Sequence, residues 1–363
     1  MSSDEKGSMD RWLMLFALLL AAVGMVWVYS ATGTRHGLTF VLKQGFSGII
    51  GVAMMLAFSR LDLKIFKNSQ KIMIGTYVVF IIFLSIVFLF ETKNGAHRWI
   101  VVHGYSIQPS EFFKLFSVIL TSCWIVKCHN LWKRTQESIL NLFFLFVTMA
   151  IPILFVYKEP DMGATLLIIF VSTLLIFLGG APRWFFVVLA PVFIVAVSIF
   201  IQAKPYRVQR VQTFLNPTVD TRGSGYQPDQ SLIAVGSGGL HGVGLGAGRQ
   251  KLNFLPEAHT DFIFAIIGEE AGLIGTATVL GLFLAVLWRG CIVARRARDS
   301  FLRLCASGFS FLLVAQALVH MSVVLNILPS KGATLPFISY GGSSMMASFL
   351  CIGLLLSISR EAA

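Results

Sequence analysis

Two carboxylates four residues apart, Glu257 and Asp261, stand in the segment LPEAHTDF with His259 between them. Paired acids at that kind of spacing are what glycosidases use for acid–base work, although Glu257 can equally be the end of a loop. Further acids and bases recur in short motifs along the chain. Arg98 lies in GAHRWI, Glu111 and Lys114 in QPSEFFK, and Glu159 and Asp161 in KEPDMGA. Glu269 and Glu270 stand in IIGEEAG, Lys43 in FVLKQG, and Lys331 in LPSKGATLPF. Each borders or interrupts an apolar run, where an ionisable group is costly unless it is paired or used.

Every one of these residues also has a plain structural reading. Lys43 can snorkel from a helix end. Glu111 and Lys114, three apart on one helix face, can be an ion pair and nothing more. Glu269 and Glu270 fall two turns into a helix and can brace the interior. Asp161 follows Pro160 and suits a helix N-cap, as Thr260 or Asp261 does for the helix that follows them. What favours chemistry is convergence, because all of these groups are predicted at one depth, around one long loop. A proton relay would instead string acids through the membrane midplane, and no strong internal repeat of the transporter kind is visible.

The elements that must position them are membrane helices. Hydrophobic residues make up 56% of the 363 and charged residues only 13%, against about 25% charged in soluble domains. Mean hydropathy is +0.78. Such a chain cannot bury its apolar surface in water, so the bilayer is its solvent. Runs long enough to span occur at 12–31, 38–58, 72–90, 110–127, 139–157, 162–179, 184–201, 261–288, 301–327 and 343–359. The expected fold is all-α, a single polytopic membrane domain of about ten transmembrane helices. No cleavable signal peptide is expected, since the first run is long enough to span and no small-residue cleavage site follows it.

The net charge of +12 excludes a nucleic-acid reading by its distribution: the bases sit in clusters between apolar runs, not in a stripe with interleaved aromatics. With a cytoplasmic N-terminus, 16 of the 29 Lys and Arg residues fall on inner segments, the largest cluster being Arg289, Arg295, Arg296, Arg298 and Arg303. Both termini are therefore expected in the cytoplasm. The stretch 202–260, between helices seven and eight, becomes a large extracytoplasmic loop. It carries GSGGLHGVGLGAG from Gly236 to Gly248 and enough Leu, Ile and Val to argue for a folded, partly membrane-seated segment. Cys123, Cys128, Cys291, Cys305 and Cys351 have neither metal-ligand nor secreted-disulfide spacing.

Taken in order, GAHRWI, IQPSEFFK, EPDMGATL, SLIAVGSGGLHGVGLGAG, LNFLPEAHTDFIFAIIGEEAGLIG and LPSKGATLPFISYGGSS resemble the SEDS family (shape, elongation, division and sporulation) over nearly the whole chain. The last motif is most similar to the FtsW and SpoVE branch. The resemblance implies ten transmembrane helices and a peptidoglycan glycosyltransferase that polymerises lipid II on the outer face of the bacterial cytoplasmic (inner) membrane. It implies a class B penicillin-binding protein as transpeptidase partner, further divisome proteins, and a place at the division septum.

The family's essential aspartate falls at Asp261. The donor sugar is α-linked to pyrophosphate and the product β-linked, so one inverting displacement with one general base suffices. The pyrophosphate then needs positive charge, from Lys, Arg or a divalent metal such as Mg or Mn; no cofactor is certain. Candidate substrate-binding residues are Lys114, Glu111, Arg98, Arg207, Arg249, Lys331 and His259, with Arg210 beside Arg207 in a family-like segment. The glycines can admit a phosphate or merely make a tight loop. The rival readings are a lipid II flippase, which needs no base, an elongation-type (RodA-like) polymerase, and a scaffold.

Overall fold

A computed structural model describes residues 8–90, 97–102, 105–128, 135–159, 161–203, 205–215, 225–252, 254–329 and 332–362. The chain opens with α1 (Arg11–His36), whose N-cap Asp10 accepts hydrogen bonds from the backbone of Trp12 and Leu13. There follow α2 (Thr39–Phe58), the short α3 (Lys64–Asn68) and α4 (Gln70–Ile86), which runs on into a 3-10 turn at Val87–Leu89. A small antiparallel hairpin, β1 (Ile100–Val102) and β2 (Tyr105–Ile107), pairs Ile100 with Ile107. The remaining elements are α5 (Pro109–Cys128), α6 (Thr135–Lys158), α7 (Met162–Leu178), α8 (Arg183–Gln202), α9 (Pro205–Leu215), α10 (Tyr226–Gly238), α11 (Ile263–Arg296), α12 (Ser300–Val324) and α13 (Gly342–Ala362).

Each apolar run read from the sequence lies on one of these helices. Among the described residues seven helices, α1, α2, α4, α6, α11, α12 and α13, are long and apolar enough to cross a membrane, and α7 and α8 are apolar but shorter. α5 belongs to neither group. It carries Glu111 and Lys114 in its first turns and Lys127 in its last. α13 is the axis of the bundle: 83% of its membrane-length window is buried inside the protein, against 17% for α4. A helix buried on all sides belongs at the centre, and one that faces lipid belongs outside.

The described residues of the stretch 202–260 include two helices and a folded glycine run. α9 and α10 occupy much of it, and the glycine run after α10 folds back onto α11. α11 is broken at Gly272, which stands at φ 63°, ψ −157°. That break strands backbone groups at membrane depth, and they cannot be left unpaired there. The loop supplies their partners. Leu273 and Ile274 donate to the carbonyls of Gly239 and Leu240 at 2.9 and 3.2 Å, while Val243 and Gly244 donate to those of Glu269 and Glu270 at 3.0 Å each. A β-carbon at Gly242 would lie 2.1 Å from the Glu270 carbonyl oxygen, so glycine is required there by close approach to α11. The tight-loop reading of these glycines thus has a specific physical cause.

Glu269 and Glu270 pin the same loop from their side chains. Glu269 accepts from the backbone of Arg249 at 2.7 Å and of Gln250 at 3.3 Å. Glu270 is fully buried and accepts from Lys251 Nζ at 2.6 Å, Ser30 Oγ at 2.5 Å and the Gly246 backbone at 2.9 Å. Both acids brace the interior. Cys123, Cys128, Cys305 and Cys351 are buried free thiols, and Cys291 is half-buried and free.

Candidate active site

Asp261 lies in the turns that lead into α11. Its backbone N–H donates to the Glu257 carbonyl at 3.1 Å. The helix N-cap is Phe262, with no side-chain cap, so neither Thr260 nor Asp261 caps the helix as the plain reading expected. The capping position falls one residue later, which leaves the Asp261 carboxylate available. That carboxylate is part-buried and faces the chain at Gly332, where a β-carbon would come within 3.1 Å of Oδ2.

The segment after Gly332 is stitched to the turns around Asp261. Ser339 Oγ donates to the Thr260 carbonyl at 2.6 Å, and the Tyr340 N–H donates to the His259 carbonyl at 2.9 Å. Gln44, inside apolar α2, holds the other side by donating to Ser339 O and accepting from Gly341 N, both at 3.1 Å. Two motifs some 70 residues apart in sequence thereby form one floor. The His259 ring stacks edge-on against Phe40 and lies beside Tyr340, at centroid distances of 5.1 and 5.7 Å.

Around this floor the charges are arranged asymmetrically. Burial first, then the negative charge of Glu257, pushes Asp261 up to about 6, with Arg98 and Arg210 pulling the other way. Arg98 Nε donates to the Glu159 backbone carbonyl at 2.9 Å. Asp161 is an N-cap, accepting from Ala164 N at 3.0 Å, and it also accepts from Gln108 Nε2 at 2.8 Å. Gln108 N in turn donates to Ser343 Oγ at 2.9 Å, so α5, α7 and α13 are fastened together beside the site.

The other candidates fall elsewhere. Lys114 is buried and donates to Glu111 at 2.8 Å and to Gln316 Oε1 at 2.7 Å; the structural ion pair is present, with a third partner from α12. A cavity of about 20 Å³ borders this trio, room for one water. Arg207 is buried with its guanidinium 5.5 Å from the centre of the Tyr157 ring. Arg249 and Lys43 are exposed. Lys331 lies outside the described residues, next to Gly332. Among the described residues no group of three or more His, Cys, Asp or Glu could hold a metal ion.

Sequence reading passed over Gln108, Gln316, Gln44 and Lys251. Gln44 and Gln316 carried a usable signal, a lone amide in an apolar run. Lys251 did not, because its partners Ser30 and Glu270 are distant in sequence.

Together these features define a class, a multi-pass α-helical membrane protein with an acid-and-arginine site at one end of its bundle. The family model described as an FtsW/RodA/SpoVE cell cycle protein matches residues 10–363, and the chain belongs to that family. A probable peptidoglycan glycosyltransferase FtsW of Trichlorobacter lovleyi is 35% identical over 96% of this chain and 93% of its own. The stage V sporulation protein E of Bacillus subtilis is 34% identical over 99% of both. A solved chain from a peptidoglycan synthase complex that coordinates polymerization and crosslinking shares the fold, with TM-score 0.76, 24% identity and 98% of both chains covered.

Proposed function

We propose that this protein polymerises lipid II into glycan strands at the outer face of the cytoplasmic membrane, by one inverting displacement with Asp261 as general base. It is a peptidoglycan glycosyltransferase by family. The observation that carries the role of Asp261 is its setting. It is a carboxylate not used as a helix cap, part-buried beside Gly332 and held near pH 6 with Arg98 and Arg210 in reach of its field. A base works best when its pKa lies near the working pH. It takes the proton of the acceptor hydroxyl as that oxygen attacks the anomeric carbon and the pyrophosphate leaves.

Arg98, Arg210 and Lys331 are the cations we assign to the diphosphate, with Mg or Mn carried on the diphosphate as the alternative source of charge; loss of activity on chelation would reveal the metal. Glu111 and Lys114 support the floor from below through Gln316 and Thr334. The bundle crosses the bilayer about ten times with both termini inside, as the clustering of basic residues on alternate segments argues. A class B penicillin-binding protein is the natural partner for crosslinking, and the LPSKGATLPF segment argues for division, with its divisome proteins at the septum, over an elongation role.

The test is polymerisation of labelled lipid II by the purified protein with its partner. Wild type should yield glycan chains and Asp261→Asn at least about a hundredfold fewer, at equal folded protein. A flippase needs no base, so near-normal polymer from the Asn variant would overturn the assignment.

A further inference from the structure

Glu159 has no role in the chemistry above, yet it is the most anomalous acid in the molecule. It sits between α6 and α7, is fully buried, and among the described residues neither carboxyl oxygen has a hydrogen-bond partner of good geometry. A buried carboxylate with no partner is among the costliest states a side chain can adopt, and the usual escape is to keep its proton. Its surroundings favour that escape. Burial, with the negative charge of Asp161 second, pushes Glu159 up to about 9, and Arg98 opposes this only in part. Arg98 Nε donates to the Glu159 backbone carbonyl at 2.9 Å, not to its carboxyl.

We propose that Glu159 is a positioning residue that works in its neutral, protonated form: its main-chain carbonyl orients Arg98 while its uncharged carboxyl leaves the guanidinium's charge for the Asp261 site. Ionised Glu159 would compete with Asp261 for that charge, since the field of Arg98 reaches both acids. Among the described residues the charged groups facing Glu159 are Arg98, from the segment before β1, and Asp161, on the α7 cap; from α5 the uncharged Ser110 hydroxyl also opposes the upward shift, as the last of the four influences. The proposal rests on the reading of Asp261 for its consequence, but not for the protonation state itself.

Glu159→Gln copies the shape of the neutral acid and cannot ionise. The variant should polymerise lipid II within about twofold of wild type at neutral pH, since an isostere at a buried polar site is nearly neutral. On the alkaline side wild type should lose activity severalfold as Glu159 ionises through about 9, while the Gln variant should not. Thermal unfolding gives a readout free of any assumption about catalysis. The native state holds a proton that the unfolded chain releases above about 4.5, so wild-type stability must fall relative to the variant as pH rises from about 4.5 towards 9. A tenfold or greater loss in the Gln variant at neutral pH, or a melting difference that does not change across that range, would overturn the proposal. Activity in Asp261→Asn alongside the expected melting difference would instead fault the general-base reading and leave the neutral Glu159 standing.

Discussion

At the end of the bundle where α1 begins and α11 and α13 finish, acids meet bases directly. Asp10 pairs with Arg289 at 2.6 Å, Asp299 with Lys67 at 2.7 Å, and Glu361 with Lys64 at 2.5 Å. At the opposite end, Asp261 and Glu159 are held by burial and by the fields of neighbours, and both are pushed upward. The first arrangement neutralises charge directly between partners whose side chains are buried to part-exposed. The second keeps acids in a state that weakens the fold, which is how a general base is tuned towards neutral pH. Between the ends, Lys251–Glu270 is a buried pair with several further hydrogen bonds, and Lys114–Glu111 a buried pair with one, from Lys114 to Gln316. Among the described residues charge is therefore graded: closely ion-paired and part-exposed at one end, closely ion-paired and buried in the middle, and at the site carried by two acids, Asp261 and Glu159, that burial pushes upward.

The sharpest way to break this comparison is at Asp261. Asp261→Asn should lower polymerisation by about 10²–10⁴-fold, the usual worth of a positioned base, with folded yield unchanged. In wild type, kcat/KM should fall as pH drops below about 6, because protonation removes the base; a flat acid limb would separate Asp261 from the chemistry.

The dry middle comes next. Lys251→Met leaves Glu270 buried without its counter-charge and should cost about 3–5 kcal/mol of stability, read by thermal unfolding. The double variant with Glu270→Gln should recover part of that loss. Lys114→Ala strands Glu111 in the same way, so its activity should fall together with folded protein; full folding with lost activity would return Lys114 to the substrate.

A subtler change tests the floor. Gly332→Ala would bring a methyl group within 3.1 Å of Asp261 Oδ2 and should lower turnover roughly tenfold by displacing the base, with little change in melting temperature. The smallest effect belongs to the part-exposed Lys67–Asp299 pair. Lys67→Ala should cost no more than about 1 kcal/mol. Burial alone would raise Asp299, but hydrogen bonds from Lys67 and the Phe301 backbone outweigh it and hold the group below the usual range. The contribution of this pair is present above the ordinary carboxylate pKa and fades as pH falls through the lowered one, so wild type and variant should converge in acid.

Much of this was readable in the linear chain. Each apolar run became a helix because length and hydrophobicity are local properties, and Asp161 became a cap because Asp after Pro suits that turn. Asp261 was legible from its motif. The role of Thr260 or Asp261 as a cap was misjudged by one or two residues, which local propensity cannot resolve. α9 and α10 were hidden inside a stretch rich in Gly and Pro, since α10 is stabilised by packing on α11 and by Ser231 Oγ donating to the Val324 carbonyl, 93 residues away.

What the sequence determined by itself was the solvent and the helices, which follow from composition and apolar run length, while the family resemblance of its motif singled out Asp261 as the acid to test. Only the tertiary structure decided which charges meet. Ser30 joins Glu270 across 240 positions and Gln316 joins Lys114 across 202, and among the described residues the Glu159 carboxyl is left without a well-formed hydrogen bond. The energy of a buried charge depends on the groups within a few ångströms of it, and those neighbours are set by how helix faces meet, not by their order along the chain.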